Sequence, residues 1–478
     1  MTAAPRTAIK ELYISYIGSF MGARTEVATS PAGPVASLDS LPRPPIHSLV
    51  GWIAFWTKPE FARRQMQKLG ERVVLDIPFM PTMMFTSSVE DCTEIFKTDR
   101  DGSLEWNAAL RRLAPHERLL GKELIDWLGG EMHPRIRRLV MPAFMGSAVQ
   151  GYEESMAQVA REHAARWPVD TPVRFTGLAK ELARDVIISV VFGVTEPARR
   201  ARLTRALDRL DSLTTSPGFV ARFAASHFTR GRWLPYPKLD RINADIDAII
   251  FEEIDDRHAD RSGEERKDCL SMFLRMQQDD GAGSPLTTRM IVIFQRFLLL
   301  AGYETTAVTL AWLVERVVRH PDVLAKLDDA VASGDDDYLD AVITETLRVR
   351  PSVPVTARMV QRDCVINGVA LPKDAVIMLY INAIQKRPDL YDAPEKFDPE
   401  RFVGKRANLH HWLPFGGGAH RCLGAHFSMV EARVLIRTIL QDRAFAPDLS
   451  PDERQEQRYG ILTTPGDGAM VTIRKRPK

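Results

Sequence analysis

Cysteine is scarce in this chain. Its 478 residues hold four, Cys92, Cys269, Cys364 and Cys422, far apart and never as a C-x-x-C pair. That spacing argues against a disulfide scaffold or a structural zinc site, and it is the cysteine usage of a reducing compartment. A surplus of one charge is missing too: 64 Lys+Arg face 62 Asp+Glu, a formal net charge of +2. A general nucleic-acid or membrane-surface binder would carry a strong basic excess. The N-terminus lacks a basic start followed by a clean apolar stretch. Its short apolar run is broken by Ser15 and Ser19 and is too brief to span a bilayer. Neither signal peptide nor membrane anchor is expected, and the expected location is cytoplasmic. Internal repeats and linker-like shifts of composition are absent as well. What the chain does have is bulk. With 45% hydrophobic and 26% charged residues it has the make-up of a soluble globular protein, and disorder is excluded as its main state.

Residues 1–45 read as an extended N-terminal leader, dominated by Ala, Thr, Ser, Gly and Pro from Ala28 to Pro45. Residues 46–478 read as one domain. Two β-prone runs, Val73–Ile77 and Met83–Thr86, flank a Pro-containing break and suggest adjacent strands. From Val89 to Leu347 the apolar period is mostly helical. The segment Glu181–Phe192 is one such helix, with Gly193 as its stop. The longest helix is expected from Thr287 to His320, ending before Pro321 and spanning roughly 50 Å. Arg289, Arg296, Glu304 and Glu315 interrupt its apolar surface, which favours a central helix of a soluble protein over a membrane span. After Pro351 the period changes to alternation. Asn367-Gly368 between apolar runs predicts a hairpin within Asp363–Ile381. A helix over Leu423–Leu440 and a last strand at Ala469–Ile473 complete the reading.

Three motifs carry chemistry. In F-G-G-G-A-H-R-C-L-G, Phe415 to Gly424, consecutive glycines permit a tight turn and close approach to a flat ligand. Cys422 is read at the start of a helix, where free N–H groups and the dipole favour a thiolate, and Gly424 leaves room beside the sulfur. A lone cysteine is more often a small buried hydrophobe, but the F-x-x-G-x-H-x-C-x-G spacing is far more specific. In A-G-Y-E-T-T, Ala301 to Thr306, Gly302 weakens a helix interior by about 1 kcal/mol relative to Ala and so needs a reason. Glu304 and Thr305 beside it can open the helix locally, or Thr305 can simply back-bond to the preceding turn. In E-T-L-R, Glu345 and Arg348 form an i, i+3 pair that is ordinary when exposed.

Together these residues resemble the cytochrome P450 family of haem-thiolate monooxygenases. The resemblance implies a mainly α fold with a small β portion, a triangular haem domain crossed by a long central helix. It implies haem b, iron protoporphyrin IX, with Cys422 as the axial cysteinate, Phe415, Gly418 and Gly424 in the surrounding loop, and Ala301 facing substrate above the haem. Glu304 and Thr305 would guide protons to bound dioxygen. His420, His133 and Arg137 of an H-x-x-x-R pattern, and Arg358, ten residues beyond Arg348, fall where the family places groups facing the haem propionates, a role that suits guanidinium forks. Glu345 and Arg348, joined by Arg401 of P-E-R-F, would brace the cysteine loop. Two departures stand out: Gly129-Gly130 where Asp-Gly is frequent, and Lys386-Arg387 where His-Arg is frequent.

By the same resemblance the reaction inserts one oxygen atom of O2 into a small substrate. Ala301, Val353, Val355, Ile461 and Leu462 suggest an apolar molecule, such as a fatty acid, terpenoid or steroid. Electrons would come from NAD(P)H through a separate ferredoxin and ferredoxin reductase, docked on a basic surface of Arg111, Arg112, Arg135, Arg138 and Arg421. The protein is expected as a monomer that binds neither nucleic acid nor membrane. Two alternatives stay open: a non-catalytic haem sensor or carrier on the same fold, and a haem-thiolate enzyme without net oxygenation.

Overall fold

The helix at the centre of the chain runs from Thr288 to Val318, with the Thr287 hydroxyl capping it by accepting the Met290 N–H at 3.2 Å. The computed structural model describes residues 35–476 except 46–49, 52–53, 55–57, 59, 77–79, 100, 114–119, 217, 220–221, 223–235, 261–265, 280–285 and 459–461. Among the described residues this is the one helix long and apolar enough to cross a bilayer, and most of it is buried inside the fold. Its charged residues are tolerated there because each has a partner. Arg296 reaches Asp247 at 2.7 Å, Glu304 meets Lys180 at 2.7 Å, and Glu315 is gripped by Arg316 and Arg319. Burial without such pairing would be prohibitive.

The helix Phe175–Ile187 lies along the central helix, and the two approach closely at Gly302. A Cβ there would come within 2.7 Å of Ile187 Cδ1, which supplies the reason the glycine needed. The same flanking helix widens into a π turn over Ile188–Phe192 and ends at Gly193 with φ 58°. A side chain at Gly193 would strike the Asp268 carboxylate, so the predicted stop is fixed by conformation and by space.

Strands form small sheets around this helical body. The largest orders Arg72–Leu75, Met83–Thr86, Val376–Leu379, Thr356–Val360 and Leu104–Glu105. Its first two strands pair antiparallel with Arg72 opposite Thr86, as their spacing suggested; Ile77 lies outside the described residues. The hairpin Cys364–Ile366 to Val369–Leu371 turns at Asn367 and Gly368, φ 44° and 76°, the left-handed pair of a type I′ turn. Ala36–Ser37 adds a parallel strand to it, so the end of the segment read as a leader is built into the domain.

Two buried acids fix the parts that matter for the site. Glu345 accepts Arg348 Nε at 2.6 Å and Nη2 at 2.7 Å, both side chains fully buried. Arg401 approaches Glu345 at 3.4 Å, and the Asp398 N–H donates to it at 2.9 Å. The rest of the Arg348 fork binds the carbonyls of Gln385, Pro394 and Lys396. Every nitrogen of the Arg348 fork is satisfied, which is what makes a buried pair tolerable. The second acid is Glu431, on the helix Ala425–Asp442, which accepts the Thr306 hydroxyl at 3.0 Å and so ties that helix to the central one. Burial pushes its carboxyl up to about 8, so it keeps its proton at neutral pH.

Two outcomes follow. Glu345→Gln strands the Arg348 charge and should lower unfolding free energy by about 3–5 kcal/mol in denaturant titration; an unchanged midpoint would refute a bracing role. For Glu431 the folded state holds a proton that the unfolded chain releases above its ordinary value of 4.5. Stability conferred by this group is therefore lost as pH rises from 4.5 towards 8, with a slope of about 1.4 kcal/mol per pH unit. Glu431→Gln should thus gain stability relative to the unmodified protein between pH ~5 and ~8. Parallel thermal-unfolding curves across that range would count against it.

Candidate active site

The glycine-rich segment is a loop closed on itself and pinned at both ends. The Cys422 N–H donates to Phe415 O at 2.9 Å, and Gly416 N–H to Leu413 O at 2.8 Å. Upstream, Trp412 Nε1 donates to Thr344 O at 3.1 Å, and Leu413 N–H to Gln385 Oε1 at 2.8 Å. Two of the three glycines are also required by protein packing. A Cβ on Gly417 would lie 2.3 Å from the Phe96 ring, and one on Gly418 would lie 2.4 Å from Asp99 Oδ2. The loop passes directly beneath the helix Val89–Thr98. Gly424, by contrast, faces open space.

Cys422 precedes its helix by three residues instead of starting it, because the helix begins at Ala425 with Gly424 as cap. The Gly424 N–H nevertheless bonds the sulfur. Burial pushes the thiol up, and that N–H, Arg421 and Arg137 pull it down. The side chain is surrounded by protein yet open to solvent, as at the floor of a concavity.

Beside it the structure gathers residues remote in sequence. His133 and His420 stack at 4.2 Å between ring centroids, and Trp106 stacks on His420 at 5.6 Å. Desolvation, with Arg137 and Arg358 nearby, lowers His133 to about 4; desolvation and His133 lower His420 to about 2. Both imidazoles are neutral. Arg137, whose guanidinium desolvation disfavours, has no carboxylate partner among the described residues. Arg358 instead holds Asp99 with both arms of its fork, at 2.6 and 2.8 Å. An unpaired guanidinium and two imidazoles next to a thiol in an open concavity suit one kind of group: carboxylates for the former and a thiophilic metal for the latter. Haem b carries both.

One stripe of the central helix is only partly buried. Ala301, Thr305 and Thr309 are half-buried while Glu304, Thr306 and Val308 are buried. The Thr305 hydroxyl donates to Ala301 O at 2.8 Å, and that of Thr309 to Thr305 O at 2.9 Å. Glu304 points away from the stripe to Lys180, which also pairs with Asp211 on the helix Pro197–Thr214. Val353 is half-buried, and Val355 and Leu462 are buried. Their segments dock on the central helix through Ser352 to Thr309 at 2.9 Å and Trp312 to Thr463 O at 2.7 Å. Ile461 lies outside the described residues.

Trp106, Asp99, Lys180 and Glu431 were not singled out by sequence. Only Glu431 left a local signal, an acid within an apolar helical period. The two departures acquire reasons here. Gly129 makes room for the Asn107 side chain, which a Cβ would meet at 2.0 Å, and Gly130 has φ 53°. Lys386 is buried between Glu60 and Glu395, each at 3.6 Å.

Comparison with known proteins agrees with this geometry. Residues 42–471 match the family profile described as Cytochrome P450. Cytochrome P450 137 of Mycobacterium tuberculosis is 35% identical over 345 residues, 72% of this chain and 71% of its own. Cytochrome P450 135B1 of Mycobacterium bovis is 35% identical over 362 residues, covering 74% and 75%. The crystal structure of the cytochrome P450DA heme domain superposes with a TM-score of 0.73 at 22% identity, over 93% of this chain and 98% of that one. The profile match over nearly the whole chain makes this protein a member of the cytochrome P450 family, a haem-thiolate monooxygenase with haem b on a cysteine thiolate.

Proposed function

We propose that the enzyme oxygenates a small apolar molecule of fatty-acid, terpenoid or steroid type, with Cys422 as the thiolate ligand and electrons drawn from NAD(P)H by a separate ferredoxin and its reductase. The observation that carries the reading is the half-buried stripe Ala301–Thr305–Thr309 of the central helix, on which the segments that carry Val353 and Leu462 dock. Small and aliphatic walls favour an apolar guest through burial alone. Haem bound through sulfur supplies dioxygen activation, because electron donation from thiolate favours O–O cleavage.

The protein's own groups take the remaining tasks. The Gly424 N–H, Arg421 and Arg137 favour the anionic form of Cys422. His133, His420 and Arg137 offer donors to the haem carboxylates. Thr305 Oγ1 is the last proton donor at the cavity, exchanging its bond to Ala301 O for one to the reacting molecule. Glu304, whose carboxylate meets the Lys180 ammonium at 2.7 Å on another face of the helix, would take a proton from that side and turn to re-supply Thr305. Arg135 and Arg138 are exposed on the helix Met132–Val140, and Arg421 stands next to Cys422. These form the proposed ferredoxin face, to which Arg111 contributes less because Asp126 already pairs with it.

The dithionite-reduced protein with carbon monoxide should show the red-shifted Soret band of thiolate-bound haem, and Cys422→Ser should abolish it. A histidine-type band in intact unmodified protein would overturn the ligand assignment. Product formed under labelled dioxygen should carry one labelled atom; unlabelled product would indicate chemistry without net oxygenation. Reversing Arg135 and Arg138 to Glu should cut ferredoxin-driven turnover at least tenfold at low salt and flatten its salt dependence, through lost steering. Steady-state reduction that keeps both would remove this face from consideration.

A further inference from the structure

Arg358 does not stand free at the site. Its Nε donates to Asp99 Oδ1 at 2.6 Å and its Nη2 to Asp99 Oδ2 at 2.8 Å. The two side chains are 1% and 0% exposed. Nη1 donates to Ala357 O at 2.9 Å, Nη2 leans to Gly417 O at 3.5 Å, and the Phe96 ring lies 5.8 Å from the guanidinium. The resemblance puts this arginine at a haem carboxylate, but the strongest, bidentate edge of its fork is already taken by a carboxylate of the chain itself. Asp99 also borders the cysteine loop. Gly418 has φ +69°, and its Cβ would stand 2.4 Å from Asp99 Oδ2. Three elements therefore meet at one carboxylate: the end of the helix Val89–Thr98, the strand Thr356–Val360, and the Gly417–Gly418 turn.

We propose that Asp99 is a positioning residue of the haem site, which acts through Arg358. Its bidentate pair holds the helix Val89–Thr98 and the Gly417–Gly418 turn in register, so that the turn presents Cys422 at a fixed depth. The pair also neutralises Arg358, so that this guanidinium adds no net positive field at the haem. The inference rests on the haem-thiolate reading. A buried pair of this kind is costly to break from one side, because the surviving charge is left uncompensated.

The test uses holoenzyme and two readouts other than turnover: the one-electron midpoint potential, and the fraction of the reduced carbon-monoxide complex that keeps the thiolate band. Asp99→Asn removes a negative charge while Arg358 keeps its positive one. The reduced haem should then be favoured at least threefold, a rise of about 30 mV for one electron. Asp99→Glu keeps the charge and should return the potential towards that of the unmodified protein. Gly418→Ala pushes a methyl group against Asp99 without changing charge and should lower the thiolate-bound fraction. Asp99→Asn holoenzyme with unchanged potential and unchanged spectrum overturns the proposal. Should that variant yield no holoenzyme, Gly418→Ala with a full thiolate fraction overturns it. A thiolate band missing from the unmodified protein would instead defeat the functional reading itself.

Discussion

The position of one sulfur atom depends on charges that never see water. Glu345 and Arg348 are fully buried, and their pairing alone would not repay the loss of hydration. What makes the arrangement stable is that the arginine's remaining donors go to the carbonyls of Gln385, Pro394 and Lys396, while the acid takes the Asp398 N–H. The pair thus organises backbone from three stretches of chain. Gln385, one of those bound stretches, in turn accepts the Leu413 N–H that opens the cysteine loop. A chain of satisfied bonds runs from the helix Asp336–Val349 to Phe415, and from there by one backbone bond to Cys422.

The central helix works under the opposite constraint. It must be apolar enough to fill the middle of the domain, yet it has to carry an acid and hydroxyls to the cavity. The two demands are met on different faces. Glu304 looks outward to Lys180, Thr306 sideways to Glu431, and Ala301, Thr305 and Thr309 line up one turn apart on a half-buried face. Residues i, i+4 and i+8 share a face, which is why these three align. The cost of threonine in a helix interior is contained because Thr305 and Thr309 each bond a carbonyl one turn back.

Much of this was legible in the sequence for a physical reason: its information was local. Helix periods, the Asn367-Gly368 turn, the Gly193 stop and the spacing around Cys422 all depend on neighbours within a few residues. The central helix deviated from its predicted ends by no more than a fraction of a turn, Thr288–Val318 against Thr287–His320. What stayed hidden was pairing across long separations. Nothing near Asp99 announces a bond to Arg358, and nothing near Trp106 announces a ring stacked on His420. The glycines of the cysteine loop show the same limit in reverse. Their presence is plain and a flat ligand is one reason for it, but nothing local announces that a side chain at Gly417 or Gly418 would strike Phe96 or Asp99.

If the glycines only made room for haem, the loop would be free to shift wherever haem was absent. Because Gly417 and Gly418 are instead wedged against a helix and a buried ion pair, the turn is held by protein contacts from above and by Phe415 from below. Among the loop's glycines, Gly416 and Gly424 are the two at which a Cβ would meet nothing. By these contacts the site divides into one half packed on Phe96 and Asp99 and another bounded by Gly424, His133, His420 and Arg137. Binding energy spent in the second half is not needed to order the first, which is the advantage that preorganisation confers.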